Sequence, residues 1–363
     1  MPYRRKFALI LWPLSLVYRF IVTLRNMLFD VDILKSEKFN MPVISVGNIT
    51  VGGTGKTPHI EYLTHLLGKR YKLAVLSRGY KRKSKGFVLA NENSTVNDIG
   101  DEPLQIKRKF PKITVAVDAK RKNGIEQLIL EGAKSEKQFE TILLDDAYQH
   151  RYVQPGLSIL LIDYNNPIDE DYMLPLGNLR EPEISKHRAN FIIISKCPDT
   201  LKPIDCRIMS KRFKTFPHQK LFFTTLRYSE PQAVFYNEKL FENINQSTFA
   251  LMVTGIAQPY LFQKHINSIV SDSEIMQFPD HHAFTQKDFD KIVQRFNAIA
   301  NPDKVIVTTE KDAIRLREIA SIIPDALKPI LYFIPVKVDF LYDGKEQFDK
   351  KVIDYVNQNK RNR

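Results

Sequence analysis

The 363 residues are 43% hydrophobic and 26% charged, a balance that excludes a disordered or collagen-like chain, and at this length two cores are favoured over one. Lys and Arg number 54 against 41 Asp and Glu, and the resulting +13 favours anionic partners: phosphorylated substrates, acidic lipid surfaces or nucleic acid. The cysteines, Cys197 and Cys206, are too few for a disulfide framework and lack a zinc motif, which fits a reducing compartment.

The chain opens with Arg4-Arg5-Lys6 and an apolar stretch from Phe7 to Phe29, interrupted by Pro13, Arg19 and Arg25. These breaks disfavour a spanning helix. Ser15, Arg19, Thr23 and Asn26 recur at helical steps, so a narrow polar stripe on an otherwise greasy helix is expected to suit a membrane interface, with the basic cluster meeting anionic head groups. A packed core helix and a signal peptide are the alternatives; no small-residue cleavage site supports the latter.

Next, an apolar run from Val43 enters Gly52-Gly53-Thr54-Gly55-Lys56-Thr57. The glycines allow backbone N–H groups to face anionic oxygens, Lys56 adds a mobile cation, and the Thr57 hydroxyl can meet a phosphate-bound Mg²⁺. Ile60, Leu63, Leu66 and Leu67 then mark a helix whose positive end faces the phosphates. Thr50 stands where the usual phosphate-loop pattern has its first glycine.

Short apolar runs at Val43–Val46, Leu73–Leu76, Ile113–Val117, Thr141–Leu144, Ser158–Ile162 and Phe191–Ile194 alternate with helical patterns. This predicts an α/β fold: a mainly parallel sheet flanked by helices, with ligands at the carboxyl ends of its strands. At those ends lie Arg78 and Tyr80, able to grip a phosphate or sugar, then Arg121, a second phosphate donor or a helix-surface cation, and Asp145 and Asp146, candidate Mg²⁺ ligands. Adjacent strand residues point to opposite faces, so only one of the two acids faces the metal unless the strand has already ended.

Asp101 precedes Glu102-Pro103 at a helix start, and Asp280-His281-His282 follows Phe278-Pro279; a carboxylate oriented by histidine can accept a hydroxyl proton, although caps and surface histidines share these patterns. Runs at Leu221–Leu226, Phe249–Val253, Val305–Val307 and Ile330–Ile334 suggest a second, smaller α/β domain. Thr285 is expected to cap a helix burying Phe289, Ile292, Val293 and Phe296. The expected divisions are residues 1–30 (membrane-association helix), 31–215 (phosphate-loop core), 216–350 (second domain, closing over the site) and 351–363 (tail, expected to fray after about Asn357).

In order, Val-Gly-Gly-Thr-Gly-Lys-Thr-Pro, Ser-Arg-Gly-Tyr, Gly-Asp-Glu-Pro, Asp-Asp-Ala-Tyr-Gln-His, Leu-Pro-Leu-Gly-Asn-Leu-Arg-Glu, Asp-His-His and Thr-Thr-Glu-Lys-Asp-Ala resemble the tetraacyldisaccharide 4′-kinase family of lipid A biosynthesis from about residue 8 to 340. Ala147, and Lys81-Arg82, stand where that family often has glycine. The resemblance implies transfer of the ATP γ-phosphoryl to the 4′-hydroxyl of a tetraacylated disaccharide 1-phosphate, at the cytoplasmic face of the bacterial inner membrane, by a peripheral or monotopic protein without nucleic acid or an obligate protein partner. It also implies that Gly52 to Thr57 hold ATP and Mg²⁺, that Lys56, Asp101 and His281 are catalytic, that Glu181 joins Thr57, Asp145 and Asp146 at the metal, and that Arg78, Tyr80, Arg121, Gln149 and Arg180 surround the phosphates and the disaccharide. A phosphate-loop GTPase or metallochaperone is the competing class, since Ser195-Lys196-Cys197-Pro198-Asp199 approaches a guanine-reading motif with the spacing off by one. A nucleic-acid-binding ATPase is the other, suggested by the positive balance alone.

Overall fold

The structure, a computed structural model, describes residues 7–134, 138–235 and 244–360. The Arg4-Arg5-Lys6 cluster and the last three residues of the expected tail lie outside them. The chain divides into two compact units, one comprising residues 1–99, 106–226 and 338–363, the other residues 100–105 and 227–337.

The first unit begins with helix α1 (Ala8–Asp30). Its strands are β1 (Val43–Gly47), β2 (Leu73–Ser77), β3 (Val88–Leu89), β4 (Thr114–Val117), β5 (Thr141–Asp145), β6 (Leu157–Asp163), β7 (Phe191–Ser195) and β8 (Lys220–Tyr228). Apart from β3, which runs antiparallel to β4, these eight strands pair in parallel, so their carboxyl ends share one edge. Strands β1, β2, β5, β6 and β7 are buried throughout, as expected for a sheet covered on both faces. Helices α2 (Lys56–Gly68), α3 (Asp101–Lys109), α4 (Arg121–Lys134) and α5 (Pro203–Phe213) follow strand ends or turns along the way. The first turn of α3 is counted with the second unit.

The second unit carries β9 (Gln232–Ala233), β10 (Phe249–Thr254), β11 (Asp272–Gln277), β12 (Lys304–Thr309) and β13 (Leu331–Ile334), in the order β11-β10-β12-β13-β9. Helices α6 (Tyr260–Ile269), α7 (Gln286–Ala298) and α8 (Glu310–Glu318) accompany this sheet. The start of α7 is set by a capping box between Thr285 and Asp288, and Phe289, Ile292 and Phe296 are buried at helical spacing.

The chain then adds β14 (Val336–Phe340) and helix α9 (Gly344–Lys360) to the first unit, whose sheet order is β14-β8-β7-β6-β1-β5-β2-β4-β3. Two expectations change here. Strand β8 belongs to the first sheet, beside β7, because parallel pairing with Phe191–Ile194 captures it. The tail, expected to fray after about Asn357, is helical to Lys360 and belongs to a helix in which Phe348, Val352 and Val356 recur every four residues and are buried, a stripe obscured in the sequence by the lysines and asparagines around it.

Helix α1 is turned inside out relative to a soluble helix. Leu9, Trp12 and Phe20 are 92, 55 and 67% exposed, whereas Ser15 and Asn26 are buried. Ser15 Oγ donates to Met173 O at 2.8 Å, Tyr18 Oη to Arg180 O at 3.1 Å, and Asn26 Nδ2 to Glu181 Oε2 at 2.9 Å. Of the expected polar stripe, Arg19 and Thr23 are exposed, since the docked face is centred toward Tyr18, Val22 and Phe29. By length and composition the helix is sufficient to cross a membrane.

Candidate active site

Strand β1 ends at Gly47, and its continuation forms the glycine loop leading into α2. Gly52 and Gly55 take φ of 109° and 81°, a region closed to most L side chains, and Gly55 directly precedes Lys56 at the first turn of α2. The loop is tied from several sides. Asn48 Nδ2 donates to Thr54 Oγ1 at 3.0 Å and Thr50 Oγ1 at 3.3 Å, while Asn48 Oδ1 accepts from Lys56 Nζ at 3.5 Å. From the end of β7, Ser195 Oγ donates to Thr54 O at 2.8 Å. Behind the loop, His59 bonds Gly55 O at 2.7 Å and Thr224 Oγ1 at 3.1 Å, and burial pulls its pKa down to about 4, so it serves as a neutral brace.

The segment Leu174–Glu181 lies along the entry to this loop: Val51 N donates to Asn178 O and Arg180 N to Ile49 O, both at 2.7 Å. The Arg180 side chain thereby reaches Asp146, with Nη1 3.6 Å from Oδ2, while Lys56 Nζ is 3.5 Å from Oδ1. Burial opposes the charge of Asp146, but Lys56 and Arg180 outweigh it and hold the carboxyl below its ordinary range.

The two neighbouring acids therefore have separate surroundings. Strand β5 ends at Asp145, whose Oδ2 accepts from Ser77 Oγ of β2 at 2.9 Å. Asp146 is already past the strand with φ of 47°, a conformation that aspartate adopts at a cost of about 1 kcal/mol and that directs its carboxylate to Lys56.

Glu181, 1% exposed, receives Arg188 Nη1 at 2.8 Å and Asn26 Nδ2 at 2.9 Å on Oε2. Its Oε1 is a buried carboxylate oxygen that receives no hydrogen bond among the described residues, as are Asp145 Oδ1 and Asp146 Oδ1, the last with only the Lys56 ammonium at 3.5 Å. Hard anionic oxygens of this kind, with the half-buried Thr57 hydroxyl, suit Mg²⁺, which keeps several waters and phosphate oxygens as further ligands.

Among the residues expected around the substrate, Arg78 and Tyr80 are exposed just beyond β2. Gly79 between them has φ of 67°, and a Cβ there would meet Ile99 O at 3.0 Å, so glycine is required at this turn. Gln149 is half-buried and donates Nε2 to Asn48 O at 2.7 Å. Arg121 departs from expectation: it is 2% exposed, with Nη1 donating to Asp118 O at 2.7 Å and Nη2 to Asp145 O at 2.9 Å. It braces the ends of β4 and β5 instead of standing open to a substrate, and burial lowers its pKa to about 10.

In the second unit, Asp101 opens α3 with Oδ1 accepting from Glu102 N at 3.0 Å, and its Oδ2 meets His281 Nδ1 at 2.9 Å. His281 has φ of 57°, and its Nε2 faces Lys311 Nζ at 3.0 Å. Since an ammonium has only donors, Nε2 accepts from Lys311; with the Nδ1 proton directed at Asp101, the 3.2 Å approach of Arg315 Nη2 to Nδ1 is a contact without a hydrogen bond. Arg315 adds Nε to Asp101 Oδ2 at 3.1 Å and a close ion pair through Nη2. Burial raises the pKa of Asp101, yet the His281 hydrogen bond and the Lys311 and Arg315 charges prevail and hold it well below the usual carboxylate range.

Over residues 7–357 the chain matches the family described as tetraacyldisaccharide-1-P 4′-kinase. The chain belongs to this family. Its relatives include the tetraacyldisaccharide 4′-kinase of Phocaeicola vulgatus, 49% identical over 97% of this chain and 96% of that protein. The tetraacyldisaccharide 4′-kinase of Bacteroides thetaiotaomicron is 45% identical over 97% of this chain and 94% of its own length. Among solved structures, LpxK from Aquifex aeolicus in complex with ATP superposes with a TM-score of 0.71 at 28% identity, covering 98% of this chain and 99% of that one.

Within this kinase framework three residues escape a motif-by-motif reading. Asn48 sits just past the apolar run of β1, and its hydrogen bonds to the loop follow only from the turn there. Lys311 and Arg315 lie four apart at the start of α8, a spacing that places both on one helix face; Asp312, fully buried, fixes that helix by accepting from Gly255 N and from Arg315 Nη1.

Proposed function

We propose that Lys56 and Arg180 hold the triphosphate of ATP at the carboxyl edge of the first sheet, with Asp146 beside them for its Mg²⁺, while Asp101, oriented by His281, accepts the proton of the 4′-hydroxyl of a tetraacyldisaccharide 1-phosphate. The chain is an ATP-dependent phosphotransferase of lipid A biosynthesis, acting on a hydroxyl group. The observation that carries the site reading is Lys56 poised 3.5 Å from Asp146 above a glycine loop that Asn48 pins in place.

Phosphoryl transfer through a loose transition state needs little covalent help from the protein, so positioning and charge neutralisation dominate. Lys56 supplies a cation at the strand end, and the N-terminus of α2 directs its dipole at the same phosphates. Thr57, Asp146 and Glu181 would hold Mg²⁺, which when bound neutralises charge on the phosphate oxygens. Because the hydroxyl proton leaves late in such a reaction, a carboxylate that stays ionised, such as Asp101, suffices as acceptor even though it is a weak base.

The apolar outer face of α1 supports association with a membrane, where a substrate with four acyl chains resides. Ser15, Tyr18, Arg25 and Asn26 bond to the protein along much of the helix, which favours α1 lying at the interface beside its unit over crossing the bilayer, and ATP as donor favours the cytoplasmic face.

The test is incubation with ATP, Mg²⁺ and acylated disaccharide 1-phosphate in detergent, followed by phosphorus NMR of the lipid. A new monoester on the distal sugar is expected. ATP turnover with an unmodified lipid would refute the assignment.

A further inference from the structure

We propose that the inner face of α1 is a working part of the nucleotide site, with Tyr18, Arg25 and Asn26 acting as positioning residues for the phosphate loop in addition to any role of the helix as an anchor. The inference rests on the kinase reading of the glycine loop. A membrane anchor need only present apolar side chains outward, and Leu9, Trp12 and Phe20 do so. Nothing in that task requires polar residues inward, where each must find a partner or cost free energy.

Those inward groups converge on the residues that shape the loop. Tyr18 Oη holds Arg180 O, and Arg180 both pairs with Asp146 and donates its N–H to Ile49 O at the loop entry. Asn26 Nδ2 holds Glu181 Oε2 at 2.9 Å, and Asn26 O accepts from Arg151 Nη1 at 2.7 Å. Arg25 Nη2 donates to Gln149 O at 2.9 Å, and the Gln149 side chain in turn holds Asn48 O at 2.7 Å. Asn48 bonds Thr54 and Lys56. Through Arg180 and Gln149 two links thus run from one helix to Ile49 and Asn48, the residues that lead into the loop, and Glu181 N adds a third by donating to Ile49 O at 3.4 Å.

The consequence is that a shift of α1 against its unit moves Arg180, Glu181 and Gln149, and through them Asp146 and Lys56. ATP affinity should therefore depend on the inner face of the helix even where no membrane is present.

The full chain in detergent micelles provides the test, with ATP affinity read by nucleotide titration and membrane binding by flotation with vesicles of zwitterionic and acidic phospholipid. Tyr18→Phe removes a single hydroxyl, and Asn26→Leu a single amide of similar volume. Each is expected to weaken ATP binding roughly 3–10-fold while flotation stays at the wild-type level. Trp12→Ser with Phe20→Ser is expected to do the reverse, reducing flotation and leaving ATP affinity in micelles unchanged. Wild-type ATP affinity in Tyr18→Phe, the variant least able to disturb folding, would overturn the inference, as would equal loss of ATP affinity in the outer-face variant. The titration reads this inference and phosphate transfer by the wild type reads the kinase assignment, so failure of one is distinguishable from failure of the other.

Discussion

Asp101 and His281 stand 180 residues apart in the chain and 2.9 Å apart in space, joined through Oδ2 and Nδ1. The imidazole is fixed on its far side by Lys311 and the carboxylate by Arg315, so the pair is set in orientation and in charge. Such a pair can accept a proton in one place only, and replacing Asp101 with Ala should lower turnover roughly 10²–10⁴-fold with little change in ATP affinity. Steady-state kinetics beside a nucleotide titration check this; near-normal turnover would remove Asp101 from the reaction.

Arg315 is expected to set the acid limit of activity. Its charge helps hold the Asp101 pKa down, so in Arg315→Met that pKa rises and the carboxylate is protonated at higher pH. The acid limb of kcat/KM should shift upward in the variant. Stability has the same sign: a depressed folded pKa stabilises fully above the unfolded value of about 4 and is lost as pH falls through the folded value, so Arg315→Met should shrink this acid-range dependence. Paired pH profiles of rate and of denaturant unfolding measure both.

Lys56→Ala should abolish useful ATP binding, and Lys56→Arg should not restore it, because the ammonium fits between Asn48 Oδ1 and Asp146 Oδ1 as a compact charge whereas a guanidinium is planar and larger. Nucleotide titration of the two variants distinguishes loss of charge from loss of shape.

The acids near the loop should separate by Mg²⁺ dependence. Asp146→Asn is expected to raise the Mg²⁺ concentration for half-maximal rate by about tenfold, whereas Asp145→Asn, facing Ser77, should change it less. Glu181→Gln should raise the Mg²⁺ requirement and also destabilise the fold by about 3 kcal/mol, since it leaves Arg188 buried without its anion.

Much of this was legible locally. The glycine loop, the strand ends and the Thr285 cap depend on residues a few positions apart, and pattern reading reaches that far. What escaped depended on partners distant in sequence. Arg121 reads as a phosphate donor or a surface cation at a helix start, and only the adjacent ends of β4 and β5 make it a buried brace. Likewise, Leu221–Leu226 announces a strand but not its neighbour, and the pairing with β7 assigns it to the first sheet. The acid pair at Asp145 and Asp146 was ambiguous because the answer depends on where β5 stops, which is set by its register with β1 and β2.

The most direct measurement offers the protein γ-labelled ATP with an equal mixture of the acylated disaccharide 1-phosphate and its 4′-deoxy analogue in detergent. Label is expected only on the lipid that retains the 4′-hydroxyl, and Asp101→Ala should suppress it. Label on the deoxy analogue, or release of phosphate to water with both lipids unchanged, would contradict transfer to that hydroxyl.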